Sequence, residues 1–272
     1  MSAEVLRKLT GNTRGIIMKK NFWIYIPAVL LVLAVKIFYR AADSDSLLWI
    51  LAPTTWWVRI LSGIPFAYSA QVGYVSHAYR FIIAPSCSGV RFLLLVFVML
   101  VFSYTHMAAS VRKKYCWMGF SAIFAYASTI FVNGIRITVS IYLPLVLKDA
   151  GLMSGWLNAQ RLHTIIGTSV YFSMLFVVYG IAGKICRRLF ACTEAQFPMP
   201  LREDGRRGQK NSRCLTAPVF WYFVMVLGIP FAGRLYRNDW AGFWQYTFLV
   251  TGVCTSVVMV SFICCKLWRL KP

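Results

Sequence analysis

Acidic residues are scarce: eight in 272, against 29 lysines and arginines. Glu4, Asp43, Asp45, Asp149, Glu194, Glu203, Asp204 and Asp239 all fall outside the long apolar stretches. An aspartyl protease inside a membrane needs carboxylates in its spans, and so does most proton-coupled transport. Both are disfavoured. No Gly-x-Ser-x-Gly occurs, so the common serine-hydrolase signature is missing. No Cys-x-x-Cys occurs either. Among the eight cysteines, Cys116, Cys186, Cys254, Cys264 and Cys265 lie within apolar stretches or at their ends. Cys192 and Cys214 lie in a basic, cytoplasmic loop where thiols stay reduced, with no third or fourth ligand nearby. No disulfide framework, metal or cofactor is expected.

What is abundant is apolar surface. Hydrophobic residues make up 59% of the chain and the mean hydropathy is +0.63. Several stretches approach the roughly 20 residues that span a bilayer. The expectation is an all-α, polytopic membrane bundle with about six spans, near 22–39, 90–110, 116–134, 164–185, 218–233 and 243–265. The count rises to seven or eight if 47–66 or 137–147 also cross. The first is broken by Pro53, Arg59, Gly63 and Pro65; the second contains Pro144 and reads as a short span, a re-entrant piece or an interfacial helix. About 20 polar and basic residues precede the first stretch and no clear cleavage site follows, so it reads as an uncleaved anchor.

The net charge of +21 fits the positive-inside rule better than nucleic-acid binding, which needs a soluble basic domain. Basic residues gather at 7–20, 112–114, 184–213 and 266–271. Six spans put all four groups on one side, which is then the cytoplasm, with the N-terminus. Three regions follow: a membrane core over 1–186, a basic cytoplasmic loop over 187–217, and a transmembrane hairpin with a basic tail over 218–272.

Three residues then stand on the opposite side: Cys87 in Pro85-Ser-Cys-Ser-Gly-Val90, Arg136 in Asn133-Gly-Ile-Arg136, and His163 in Leu162-His-Thr164. Pro85 and Ser86 are helix-start residues, with Ser86 a candidate cap, which puts Cys87 in a first helical turn where the dipole favours a thiolate. Gly89 leaves room for a substrate backbone. Arg136 is suited to holding an oxyanion, with Asn133 three residues earlier on the same face to orient it. His163 opens a span and can act as base, then acid. Each has a plain alternative: a packed cysteine, an arginine snorkelling to headgroups, an interfacial histidine. His77 is a rival base, in a segment that reads as a mobile interfacial loop. His106 lies 19 residues beyond Cys87 on one helix, roughly 28 Å away at 1.5 Å per residue, too far to pair.

These strings, in this order, resemble the exosortase/archaeosortase family over about residues 45–185, and within it the short subtype called exosortase K. The resemblance implies Cys87, Arg136 and His163 as active-site residues of a membrane cysteine protease or transpeptidase. It implies substrates that are exported proteins with a C-terminal motif (Pro-Glu-Pro in the best-known bacterial class), a transmembrane helix and a basic tail. It also implies an inner-membrane location with the site facing outward, and an envelope acceptor for the new carboxyl end. Many family members have about eight spans, more than the six counted here. Another reading is a transporter or flippase for an anionic lipid-linked precursor, with Arg80, Arg91, Arg136 and Arg161 as headgroup contacts. A third is a structural membrane subunit without chemistry.

Overall fold

A computed structural model describes residues 23–152, 157–194, 209–234 and 240–269. Helix α1 is Trp23–Ala41. Helix α2, Leu48–Ser62, leads to strands β1 (Ala67–Ser69), β2 (Gly73–Ser76) and β3 (Phe81–Ile83). A 3-10 turn, Pro85–Cys87, precedes α3 (Val90–Tyr104). Then come α4 (Val111–Asp149), α5 (Ala159–Glu194), α6 (Gln209–Phe223), a π-turn (Val224–Gly228), α7 (Ile229–Arg234) and α8 (Trp240–Arg269). The N-terminal cluster Arg7–Lys20, the loop residues Arg202, Arg206 and Arg207, Lys271, and the side chains of Cys192 and Cys214 lie outside the described residues.

The chain is an all-α polytopic membrane bundle with one small sheet. Five helices are long and apolar enough to cross a bilayer, and Thr216–Phe231 adds a shorter apolar segment. Each expected span falls on one of these. The stretch 137–147 is not separate. It continues α4 through Pro144 to Asp149, giving a 39-residue helix. At 1.5 Å per residue that is roughly 58 Å, about twice the hydrocarbon thickness, so α4 projects beyond the bilayer. The stretch 47–66 forms only the 15-residue α2, ended by Gly63 in the left-handed region (φ +68°). That is too short to cross.

Helix α3 is the centre. In the apolar span Pro85–Met107 that contains it 78% is buried, against 11% for α1 and 17% for the span Gly242–Ser261 of α8. Lipid tails are as apolar as leucine, so packing and hydrogen bonds rather than water exclusion hold such helices together. Small residues provide the seats. A Cβ on Gly134 of α4 would stand 2.3 Å from Trp57 Cδ1 of α2, and one on Gly183 of α5 would stand 2.6 Å from the Tyr104 oxygen of α3. Tyr126 and Tyr142 of α4 donate to the carbonyls of Trp49 (2.6 Å) and Ser62 (3.0 Å), clamping α2 alongside at both ends. Tyr222, Val250 and Cys254 of the C-terminal hairpin join the core cluster built on α3.

The segment holding His77 is a turn between two strands rather than an irregular loop. β1, β2 and β3 form an antiparallel sheet in that order, with Tyr68 opposite Tyr74 and Tyr74 opposite Ile83. His77 lies in the β2–β3 turn, where Arg80 N–H donates to the His77 carbonyl at 3.4 Å. The sheet is tied to the α1–α2 connection through Asp45, which accepts from the Tyr68 hydroxyl and from Gln71 N–H at 3.2 Å. The Tyr68 hydroxyl, then the Gln71 N–H, hold the Asp45 carboxyl below its usual range, and the same bond pushes Tyr68 up to about 12. This tie is complete above the unfolded carboxylate value of about 3.9 and weakens as pH falls through the lower folded value. β3 runs straight into the turn bearing Cys87.

Candidate active site

The Cys87 turn is built differently from a capped helix start. Pro85 opens a 3-10 turn, Cys87 N–H donates to Ala84 O at 2.8 Å, and Ser88 N–H donates to Pro85 O at 3.1 Å. Gly89 (φ +75°), not Ser86, stands before the first residue of α3, and no side chain caps either start. The Cys87 N–H is therefore already spent inside its turn. Tyr39 of α1 donates to the Pro85 carbonyl at 3.1 Å and fixes the turn from the other side.

Gly89 makes room, but for Asn133. A Cβ there would meet Asn133 Cγ at 2.9 Å and Thr129 Cγ2 at 3.0 Å. Asn133 uses that approach. Its Nδ2 donates to the Cys87 carbonyl at 2.6 Å, tying α4 to the turn. Its Oδ1 accepts from Arg136 Nη1 at 3.3 Å and from the Tyr171 hydroxyl at 2.8 Å. Asn133 thus binds Arg136 three residues along the same helix and also grips the cysteine turn.

Arg136 is 7% exposed. Its Nη1 also donates to the Tyr171 oxygen at 3.2 Å, and its Nη2 lies 2.5 Å from His163 Nε2. A guanidinium always donates, so His163 accepts here through a neutral Nε2. Among the described residues, Arg136 Nε has no hydrogen-bond partner. Tyr171 is stacked on Phe92 of α3, with ring centroids 4.7 Å apart.

Arg136, His163 and the Asn133–Cys87 link are thus gathered at one end of the bundle, beside the sheet. The Cys87 thiol is not yet engaged. It is 8% exposed and packs with Val90, Leu94, Ile137 and Ile141. Among the described residues no hydrogen bond joins it to His163. Ser86, Gly89, Arg91, Arg136 and His163 line a cavity of about 300 Å³ whose other walls include Tyr39, Thr168, Tyr222, Val226 and Tyr246. The C-terminal hairpin, which carries no obvious catalytic group, therefore closes one side of this cavity. His77 is exposed and off its wall. No three His, Cys, Asp or Glu among the described residues are placed to hold a metal ion.

Sequence reasoning missed Tyr171 and Gly167. The signal was there: His163, Gly167 and Tyr171 are spaced i, i+4, i+8 on α5 and so form one column facing α4.

The sequence profile of the transmembrane exosortase family matches residues 13–180, well over half of the chain and every residue in the cluster. No curated protein matches the chain, and no solved structure does.

Proposed function

This chain belongs to the transmembrane exosortase family, and we propose that it is a membrane cysteine peptidase or transpeptidase that cleaves C-terminal sorting signals through Cys87, His163 and Arg136. The observation that carries the reading is the direct Arg136–His163 contact, joined through Asn133 to the Cys87 turn. Structural arginines at span ends reach toward headgroups. This one is buried and aimed at an imidazole.

The described arrangement is a resting one, since the His163 lone pair is held by Arg136 and Cys87 is buried with no hydrogen bond to His163 among the described residues. Substrate entry parts the Arg136–His163 contact, and rotation about the Cys87 Cα–Cβ bond brings Sγ to the cavity. His163 Nε2 takes the thiol proton as sulfur attacks the scissile carbonyl. Arg136 holds the oxyanion of the tetrahedral intermediate. Collapse expels the amine, which takes from His163 the proton that came from the thiol, and leaves a thioester on Cys87. An acceptor amine or hydroxyl, or water, then gives its proton to His163, attacks the thioester and releases the thiolate, which His163 reprotonates.

The substrates are exported proteins with a C-terminal motif, a transmembrane helix and a basic tail. The enzyme sits in the inner membrane with the Cys87 end outside. Cys116 is exposed near Arg112 and Lys113, at the opposite end of α4 from Arg136. An impermeant thiol reagent should therefore leave Cys116 unlabelled in intact cells and label it after permeabilisation. A Ser69→Cys variant, in exposed β1, should label at once. Labelling of Cys116 from outside overturns the orientation.

One observation favours the transporter or flippase reading. Arg91 and Arg136 share the cavity wall with no carboxylate among its lining residues, which suits an anionic ligand. Arg80 and Arg161 do not line it. Purified protein in vesicles, given a tagged substrate carrying motif, helix and basic tail, separates the two. The peptidase reading requires release of the helix–tail fragment; an intact substrate in every condition favours a non-covalent carrier.

A further inference from the structure

Three hydrogen bonds close a ring between α4 and α5. Arg136 Nη1 donates to both Asn133 Oδ1 (3.3 Å) and the Tyr171 oxygen (3.2 Å), and the Tyr171 hydroxyl donates back to Asn133 Oδ1 (2.8 Å). The ring consumes Nη1 alone. A guanidinium is flat and rigid, so fixing one nitrogen at two acceptors fixes the plane and leaves the other edge free. That edge is Nε with Nη2. Among the described residues, Nε is buried without a hydrogen-bond partner, and the one hydrogen bond of Nη2 is to His163.

The space beside this edge is kept by a glycine. A Cβ at Gly167 would stand 3.2 Å from Arg136 Nε. Gly167 also lines the cavity, between His163 and Tyr171 on the same face of α5. No turn explains a glycine here, because it lies inside a continuous helix.

We propose that Tyr171 is a positioning residue that selects which edge of the Arg136 guanidinium meets the reacting carbonyl, and that Gly167 keeps a side chain from crowding that Nε–Nη2 edge. This rests on the peptidase reading above. The ring's aromatic body stays locked by its stack on Phe92, while its hydroxyl sets the fork. A carbonyl oxygen arriving from the cavity then finds two parallel N–H donors, one unpartnered and one released from His163. A fork of that geometry is what a developing oxyanion needs.

The experiment compares wild type, Tyr171→Phe, Arg136→Lys, the double variant and Gly167→Ala for the rate of substrate cleavage, its KM and the Cys87 adduct. Tyr171→Phe keeps the ring stack and removes only the hydroxyl. It should lower kcat roughly 10–100-fold with KM within about twofold, the pattern of an interaction made in the transition state. Lysine has no edge to select, so adding Tyr171→Phe to Arg136→Lys should change kcat by less than about twofold. Gly167→Ala should cut kcat by at least roughly tenfold while the helix melts no lower, because alanine is the better helix former. A purely structural tyrosine predicts something else: losses that multiply in the two backgrounds, with lower melting temperature. Multiplying losses, or a Tyr171→Phe enzyme with wild-type kcat, overturn the proposal. If Tyr171→Phe does not accumulate, Gly167→Ala decides alone, and a wild-type kcat there overturns it. A wild-type enzyme that forms no Cys87 adduct removes the peptidase reading and this proposal with it. A wild-type adduct with an equal Tyr171→Phe rate removes only the proposal.

Discussion

His163→Ala should abolish substrate processing, a loss on the order of the 10²–10⁴-fold that a positioned acid–base supplies, while the protein accumulates and inserts as before. His163 is half-buried on α5, lines the cavity and touches Arg136. It sits in the first two turns of a 36-residue helix, whose backbone holds it in place. A base must keep a reach of about 3 Å to its thiol, and rigid elements keep such geometry better than turns. His77→Ala is the control. That residue is exposed in the β2–β3 turn and off the cavity wall, so processing should stay within a few-fold of wild type. The measurement is the ratio of cleaved to uncleaved exported substrate in cells expressing each variant at matched levels. The reverse pattern, with His77 essential and His163 dispensable, makes His77 the base and returns His163 to a partner of Arg136 alone.

Arg136→Lys should lose most activity as well, about the 10²–10³-fold of a missing oxyanion donor. The charge is kept, but the geometry is not. Arg136 now holds Asn133 and Tyr171 with one nitrogen and faces His163 with another. A lysine ammonium is a single compact centre and cannot present a fork while holding that ring. It is also more readily neutralised when buried, whereas a guanidinium stays charged. Steady-state cleavage by purified enzyme gives the comparison. A Lys variant with near-normal kcat reduces Arg136 to a charge anchored at the membrane margin.

Much of this was legible in the sequence because the spans are long. A run such as Val90–Tyr104, with no polar residue between Phe92 and Phe102, has one reading in any order. The basic clusters, the i, i+3 spacing of Asn133 and Arg136, and the place of His163 at the head of a later span pointed to a shared end, and the helices do bring those three side chains together. Shorter elements were not legible. Each strand of the sheet has only three or four residues, too few for alternation to stand out from an apolar loop. The 3-10 turn at Cys87 was masked by Pro85 and Ser86, which fit an α-helix start equally well. Gly89 looked like space for substrate, yet the space holds Asn133, and only the approach of α4 reveals that. Pro144 suggested a break where α4 continues. Tyr171 was hidden among fourteen tyrosines; its column with His163 becomes meaningful only once α5 is known to face Arg136.

The central claim is covalent chemistry at Cys87. Wild-type enzyme mixed with a tagged substrate and quenched in acid should carry the substrate's N-terminal portion on the Cys87 peptide, as a thioester released by neutral hydroxylamine. Mass spectrometry reads the adduct directly, and Cys87→Ala should show neither adduct nor released helix–tail fragment. Cleavage that proceeds in Cys87→Ala, or in wild type with the acyl group on another residue, contradicts the account.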